Sequence, residues 1–334
     1  MCIALVLRAA SRGAIRLKRT PVTLYDIPAP AKINLFLHVV GRRADGYHLL
    51  QTVFRFIDLQ DTLHIEVRRD GQITRAYDLP GVSHNDDLCV RAARALQAAT
   101  GCTQGAHIDL VKRIPAGGGL GGGSSDAASV MMALNRAWNT GLSREALMAL
   151  ALPLGADVPV FIFGQSAFAE GVGEKLTAVT LPERAYVIAQ PDASVPTMSV
   201  FSDPDLTRDS PVIIIADFLA RPTSDFGRND LEPVVCKRFE PVSNALQALK
   251  RMGVAARMSG SGACLFAEYP TFATAVLAEQ EIAATMRAAS RGSATSPGRT
   301  SEKASTDDVY AAARFRLLQS CSGLDEHPLR YWIA

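Results

Sequence analysis

Between residues 115 and 125 the chain reads Pro-Ala-Gly-Gly-Gly-Leu-Gly-Gly-Gly-Ser-Ser, with six glycines in the seven positions from Gly117 to Gly123. Glycine is costly to order, so such density serves a backbone that must come close to something with its N–H groups exposed. The strand-like segment Ala106–Val111 precedes it, and apolar residues at 127, 130, 131, 134 and 138 follow at helical spacing. A glycine loop that opens a helix presents free donors and the positive end of the helix dipole, and both favour an anion such as phosphate. Ser124 and Ser125, at the start of that helix, can cap it or add hydroxyls towards a phosphate or a metal ion.

Spacing separates the kinds of phosphate loop. A Walker A loop needs a lysine between its last glycine and a Ser/Thr, and here Ser124 follows Gly123 directly. Gly117, Gly119 and Gly122 satisfy the dinucleotide pattern Gly-x-Gly-x-x-Gly, but six glycines satisfy many patterns. The acid expected at the end of a following strand is missing, because residues 142–152 look helical. A glycine loop that only packs tightly is the plain alternative.

Other residues join the loop as candidates. Lys32 starts an apolar strand, where a lone lysine is usually an edge residue that snorkels. Asn34 shares its face by the two-residue period. Asp157 lies in Pro153-Leu-Gly-Ala-Asp-Val-Pro159, a break ahead of the buried-looking stretch Val160–Phe163, which reads as a strand. An acid there is a cap, a turn former or a general base. Tyr47 and His48 follow the turn Arg42-Arg-Ala-Asp-Gly46, and Thr197 and Phe201 sit in a Pro/Ser/Thr-containing loop. Arg257-Met-Ser-Gly-Ser-Gly-Ala263 is a second glycine loop.

The elements that must position these residues form an α+β pattern. Ile33, Leu35, Leu37 and Val39 alternate as a strand, followed by strands at Val53–Leu59 and Leu63–Val67, whose short turns imply an antiparallel sheet. Leu88–Ala99 looks helical, as do residues 143–152, 213–220, 239–252 and 271–289. Tyr186–Gln190 and Cys264–Glu268 read as strands. Residues 290–308, rich in Ser, Thr, Gly and charge, read as a disordered insertion, with order resuming at Phe315. Residues 1–22 hold five basic side chains and no acid, and their apolar piece Ile3–Leu7 is too short for a secretory signal. They read as a frayed extension or an early start codon, with an organelle transit peptide as the alternative composition.

The bulk composition bounds the partners. With 334 residues, 48% hydrophobic, the chain is long enough for two domains with real cores. Net charge is +2, from 35 basic and 33 acidic residues, which argues against a general nucleic-acid binder. No apolar run reaches the roughly 18–20 residues of a membrane span. The six cysteines are scattered without zinc or Cys-x-x-Cys spacing, as in a reduced cytoplasmic protein.

The loop resembles that of the GHMP kinases (galactokinase, homoserine kinase, mevalonate kinase and relatives), Pro-x-Gly-x-Gly-Leu-Gly-x-x-Ser-Ser. Pro115, Gly117, Gly119, Leu120, Gly121, Ser124 and Ser125 match it. Pro30-Ala-Lys-Ile-Asn-Leu-Phe-Leu-His38, Arg43-Ala-Asp-Gly-Tyr-His48, Gly155-Ala-Asp-Val-Pro-Val160 and Ser259-Gly-Ser-Gly-Ala263 occur in the family's order. The second and third of these point to members whose alcohol carries a cytidine diphosphate. The resemblance implies an N-terminal domain at 23–170, similar to a ribosomal-protein domain and binding ATP, and a ferredoxin-like C-terminal domain at 171–334. It implies transfer of the ATP γ-phosphoryl group to the 2-hydroxyl of a cytidine-diphosphate sugar alcohol, with Mg²⁺, in non-mevalonate isoprenoid synthesis. Residues 115–125 (Pro115, Ala116, Gly117, Gly118, Gly119, Leu120, Gly121, Gly122, Gly123, Ser124 and Ser125) would hold ATP. Asp157 would be the base and Lys32 its partner; Asn34 would orient the hydroxyl. Tyr47 and Phe201 would sandwich cytosine, with His48 and Thr197 as polar contacts. Asp87 departs from the family, which usually has asparagine there beside adenine. The rivals are a GHMP kinase for another small alcohol, a non-catalytic RNA-binding protein of related fold, and a dehydrogenase.

Overall fold

In the computed structural model the described residues are 22–220, 227–293, 310 and 313–333. The extension at 1–22, save for Val22, lies outside them, as do positions 294–308 of the proposed insertion. Two long antiparallel strands, β1 (Thr23–Arg42) and β2 (His48–Arg68), form the spine. Their turn closes through Arg43 N–H donating to the Tyr47 carbonyl at 2.7 Å, with Gly46 at φ 92°, a conformation that suits only glycine. The register sets Lys32 opposite Phe56 and Asn34 opposite Phe54.

The expected strands Val53–Leu59 and Leu63–Val67 are parts of one strand, β2. Gln60-Asp61-Thr62 contains no glycine or proline to break it. Asp61 is buried and accepts from the amides of Arg113 (2.5 Å) and Ile114 (2.8 Å), so an acid that reads as a turn is a tie to the next layer.

The chain continues through β3 (Ile73–Arg75), α1 (Leu88–Thr100), β4 (Gly105–Val111), α2 (Gly122–Ala137), α3 (Arg144–Ala151) and α4 (Val158–Phe163). After these come β5 (Ala167–Glu170), β6 (Lys175–Ala178), β7 (Ala185–Pro191), α5 (Thr197–Phe201), α6 (Ile215–Leu219), α7 (Glu232–Arg238) and α8 (Glu240–Arg251). The last elements are β8 (Ala256–Met258), β9 (Leu265–Tyr269), α9 (Phe272–Ser293) and β10 (Phe315–Leu324). The expected strand at 160–163 is the helix α4. A short buried apolar run has no periodicity to separate the two states; Pro159 in the first turn and Gly164 at φ 75° as C-cap decide for helix. The loop expected up to Phe201 contains the short helix α5. Helix α6 is shorter than the expected 213–220, and α9 runs on through residues 290–293, the first positions of the proposed insertion.

The strands join one mixed sheet in the order β3-β4-β2-β10-β7-β9-β8, with β1 and β5 also on β2. This is the expected α+β class. One core lies between β1, β2, β4 and helices α1 to α4, and another between β7 to β9 and helices α7 to α9. A third, with Ile33, Leu35, Val53, Ile57, Tyr186, Ile188 and Phe266, packs between them. Strand β10 pairs with β7 and, through Gly323 and Leu324, with β2. The chain then returns to the first core, where Leu329 and Ile333 are buried.

This tail grips α4. Arg144 donates to the carbonyls of Ile162 (2.5 Å) and Arg330 (2.7 Å), joining the helix's C-terminal end to the tail. His327 is buried edge-on against Phe56 and Phe161, its Nδ1 accepting from the Leu329 amide at 3.0 Å. Burial, and after it the Arg144 charge, push its pKa down to about 3, so the ring is neutral.

Candidate active site

The two glycine loops face one cleft of about 980 Å³. The first loop is held by its carbonyls. Those of Gly117 and Gly118 accept from the amides of Ala263 (3.2 Å) and Cys264 (3.0 Å), on the second loop. The Gly119 carbonyl accepts from Ser259 Oγ and Lys32 Nζ, each at 3.1 Å, and that of Leu120 from the Lys32 amide at 3.0 Å. With four successive carbonyls tied to the protein, the amides from Gly119 to Ser124 keep no acceptor among the described residues. They form a row of donors at the start of α2, the arrangement an anion needs. Gly119 sits at φ 75°, and a Cβ there would lie 2.2 Å from the Ser259 carbonyl oxygen.

Lys32 stands at the foot of this loop. Its buried Nζ is 3.2 Å from Asp157 Oδ2 and donates to Asn34 Oδ1 at 2.7 Å. Asn34 in turn donates to Thr52 Oγ1 at 2.9 Å, so its amide is oriented on both sides. Asp157 occupies the N-cap position of α4 but makes no capping hydrogen bond. Its carboxylate, partly open to solvent, faces the lysine and the cleft.

Pro115, Ala116, the glycines, Leu120 and Ser124 all line the cleft. Ser125 does not. It is buried and its hydroxyl donates to the Pro30 carbonyl at 2.7 Å, bracing β1 against α2, so of the two serines only Ser124 can meet a phosphate.

At the other end the cleft is lined by Tyr47, His48, Thr197 and Phe201. Tyr47 is 64% exposed. The His48 and Phe201 rings lie 5.1 Å apart and 33° from parallel. Thr197 Oγ1 shares a hydrogen bond with Ser261 Oγ of the second glycine loop at 2.7 Å. Gly260 and Gly262 also line the cleft, whereas Cys264 is a core thiol that burial pushes up to about 12.

Asp87 is a structural group. It caps α1 by accepting from the amides of Cys89 (2.8 Å) and Val90 (3.2 Å), and it also takes Arg75 Nη1 (2.6 Å) and Tyr77 Oη (3.0 Å). With that many donors, the acid here has a use an asparagine would serve less well.

The sequence reasoning missed two groups at the site. Lys112, on the cleft wall, pairs with Asp61 and, at 2.8 Å, with Asp126, the residue after Ser125. Burial pushes the Asp126 carboxyl above the usual carboxylate range; Lys112 opposes this and Asp61 adds to it. A lysine just ahead of the glycine loop was the available signal. Arg208 lies behind His48, in a loop with no motif, and nothing in the sequence marks it.

Comparison with known proteins gives the family. The chain matches the models for the GHMP kinases N terminal domain over residues 87–165 and the GHMP kinases C terminal over 215–288. It is 67% identical to the 4-diphosphocytidyl-2-C-methyl-D-erythritol kinase of Bordetella bronchiseptica over 94% of this chain and all of that one. The chain belongs to the 4-diphosphocytidyl-2-C-methyl-D-erythritol kinase family. A Cupriavidus necator member is 59% identical over 76% of this chain and 88% of its own. A crystal structure of 4-(cytidine 5'-diphospho)-2C-methyl-D-erythritol kinase superposes with a TM-score of 0.67 at 30% identity, covering 90% of this chain and 99% of that one. Homoserine kinase from Cytophaga hutchinsonii shares only the fold, at 15% identity and a TM-score of 0.55 over 80% of this chain and 88% of that one.

Proposed function

We propose that this chain transfers the γ-phosphoryl group of ATP to the 2-hydroxyl of 4-(cytidine 5'-diphospho)-2-C-methyl-D-erythritol, in the cytoplasm, as a step of non-mevalonate isoprenoid synthesis. The observation that carries the chemistry is the Lys32–Asp157 pair, 3.2 Å apart at the foot of the donor row. In the reaction the 2-hydroxyl gives its proton to Asp157 while its oxygen bonds to the γ-phosphorus, and the bond to the β-phosphate oxygen breaks to release ADP. A positioned base of this kind contributes roughly 10²- to 10⁴-fold in rate. Lys32 pairs with the Asp157 carboxylate at 3.2 Å and offsets charge on the transferring group. Asn34 orients the hydroxyl, and the amides from Gly119 to Ser124 hold the phosphates.

The chain offers no group of three or more His, Cys, Asp or Glu for a metal among the described residues. Mg²⁺ fits such a site, because it is usually held by substrate phosphates with one or two protein groups. Ser124 is the residue that would meet it, and it would neutralise the phosphate charge. Tyr47 and Phe201 would take the cytosine between them, with His48 and Thr197 at its polar edge. A kinase for a simpler alcohol has no use for that end of the cleft.

The test is an ATP-consumption assay over small alcohols, including homoserine, mevalonate and the cytidine-diphosphate compound. Turnover of the last alone is expected. Equal turnover of a simple alcohol would overturn the substrate reading, and no ATP consumption with any of them would overturn the kinase reading.

A further inference from the structure

His48 lies on the cleft wall, and its Nε2 is 3.1 Å from Nε of Arg208. A guanidinium has donors only, so Nε2 must be the bare nitrogen of the ring. The proton of the neutral imidazole therefore sits on Nδ1. The ring is kept neutral first by burial and then by the positive charges of Arg208 and Arg42, all of which lower its pKa. Nδ1 makes no hydrogen bond with another described residue. Arg208 is itself fixed: Nη1 donates to the Leu206 carbonyl at 3.0 Å, and Nη2 to those of Phe201 (3.1 Å) and Asp203 (2.6 Å). One side chain thus holds both the ring of His48 and the backbone of Phe201.

We propose that Arg208 makes this pocket select cytosine over uracil, by holding His48 in the tautomer that offers Nδ1–H. The two bases have nearly the same outline and stack equally well on an aromatic ring. They differ in their hydrogen-bonding edge. Cytosine N3 is a bare acceptor, whereas uracil N3 carries a hydrogen. A fixed Nδ1–H donor pairs with the first and faces a second hydrogen on the other. An unrestrained neutral histidine can move its proton to Nε2 and accept instead, so the selection lasts only while a donor occupies Nε2. Arg208 is a positioning residue in this account and touches no substrate atom. The proposal rests on the reading that a cytidine lies between Tyr47 and Phe201.

Two measurements on the full chain test it. Nitrogen-15 NMR of the imidazole reports the tautomer without any ligand, and competition against the substrate by cytidine 5'-diphosphate and uridine 5'-diphosphate reports the selection. The parent protein is expected to show Nδ1–H and to prefer the cytidine nucleotide. Arg208→Met, which keeps the stem and removes the donors, is expected to show mixed tautomers. Its preference should fall roughly tenfold, the scale of one mispaired hydrogen bond, with an unchanged KM for ATP. Arg208→Lys, which keeps one donor, should retain most of the preference. A parent ring protonated on Nε2 overturns the proposal even if Arg208→Met does not fold. So does an Arg208→Met variant with the parent's full preference. A parent with Nδ1–H and no preference between the two nucleotides overturns the cytidine reading itself, and the NMR result then separates that failure from a failure of the tautomer lock.

Discussion

At the glycine-loop end of the cleft each polar group is braced by another, while the end lined by Tyr47 and Phe201 leaves Tyr47 and Met198 in solvent. Lys32 is buried with three partners, and four successive carbonyls of the glycine loop are tied down. Tyr47 is 64% exposed and Met198, between Thr197 and Phe201, is 82% exposed. The difference follows from what each end must do. Phosphoryl transfer depends on donors and charges already in place, because reorganising them during reaction costs rate. A flat base can be gripped by side chains that close on it, and the closing rings gain the apolar burial they lack beforehand.

The largest expected effect breaks the braced end at its reactive group. Asp157→Asn keeps the shape and removes the base. Turnover should fall at least about a hundredfold, while nucleotide binding, measured by titration calorimetry, stays nearly intact. Full activity in that variant would remove Asp157 from the mechanism. A second change separates bracing from mere glycine content. Gly119→Ala drives a Cβ onto the Ser259 carbonyl at 2.2 Å with φ at 75°, and neither backbone can give way. It should abolish tight ATP binding or folding. At Gly123 a Cβ would meet only Leu88 Cδ1 at 3.5 Å, an ordinary contact. Gly123→Ala should therefore melt within a few degrees of the parent; equal damage from both would mean that the loop's fit to the second loop is unimportant.

The open end should respond differently. If Phe201 stacks on the base as proposed, Phe201→Ala should raise KM for the cytidine substrate by about tenfold or more, the loss expected for one base–aromatic stack. KM for ATP should hardly change. Equal losses for both would merge the two ends and count against the contrast.

Legibility in the sequence follows the same division. The glycine loop, Lys32 and Asp157 stand out in the sequence by residue type and spacing, and the fold brings them to one cleft. Their long-range consequences were not. Nothing local tells that Asp157 precedes a helix, since Val-Pro-Val-Phe-Ile-Phe has no period to read. Nothing tells that Asp61 is buried within an unbroken strand. Ser125 looked equivalent to Ser124, and only the helix phase turns one to the cleft and the other to Pro30. Arg144 acts through carbonyls of distant segments and Arg208 is fixed by carbonyls of its own loop, and an acceptor that every residue carries leaves no mark in a sequence.

The smallest expected effect tests what braces the closed end from behind. His327 wedges against Phe56, which is opposite Lys32, and against Phe161 of α4. Its folded pKa is about 3, against 6.5 as an ordinary histidine. Between those values the unfolded chain binds the proton and the folded one does not. Above pH 6.5 the group therefore adds no pH dependence, and below it stability falls as pH falls. The slope approaches about 1.4 kcal/mol per pH unit. His327→Asn keeps an acceptor for the Leu329 amide and does not titrate. Urea unfolding from pH 7 down to pH 5 should lose stability more steeply in the parent than in this variant, whatever cost the smaller side chain adds at every pH. Parallel slopes would show that the ring can leave its pocket and protonate freely, and the glycine-loop end would then be less firmly backed than its hydrogen bonds imply.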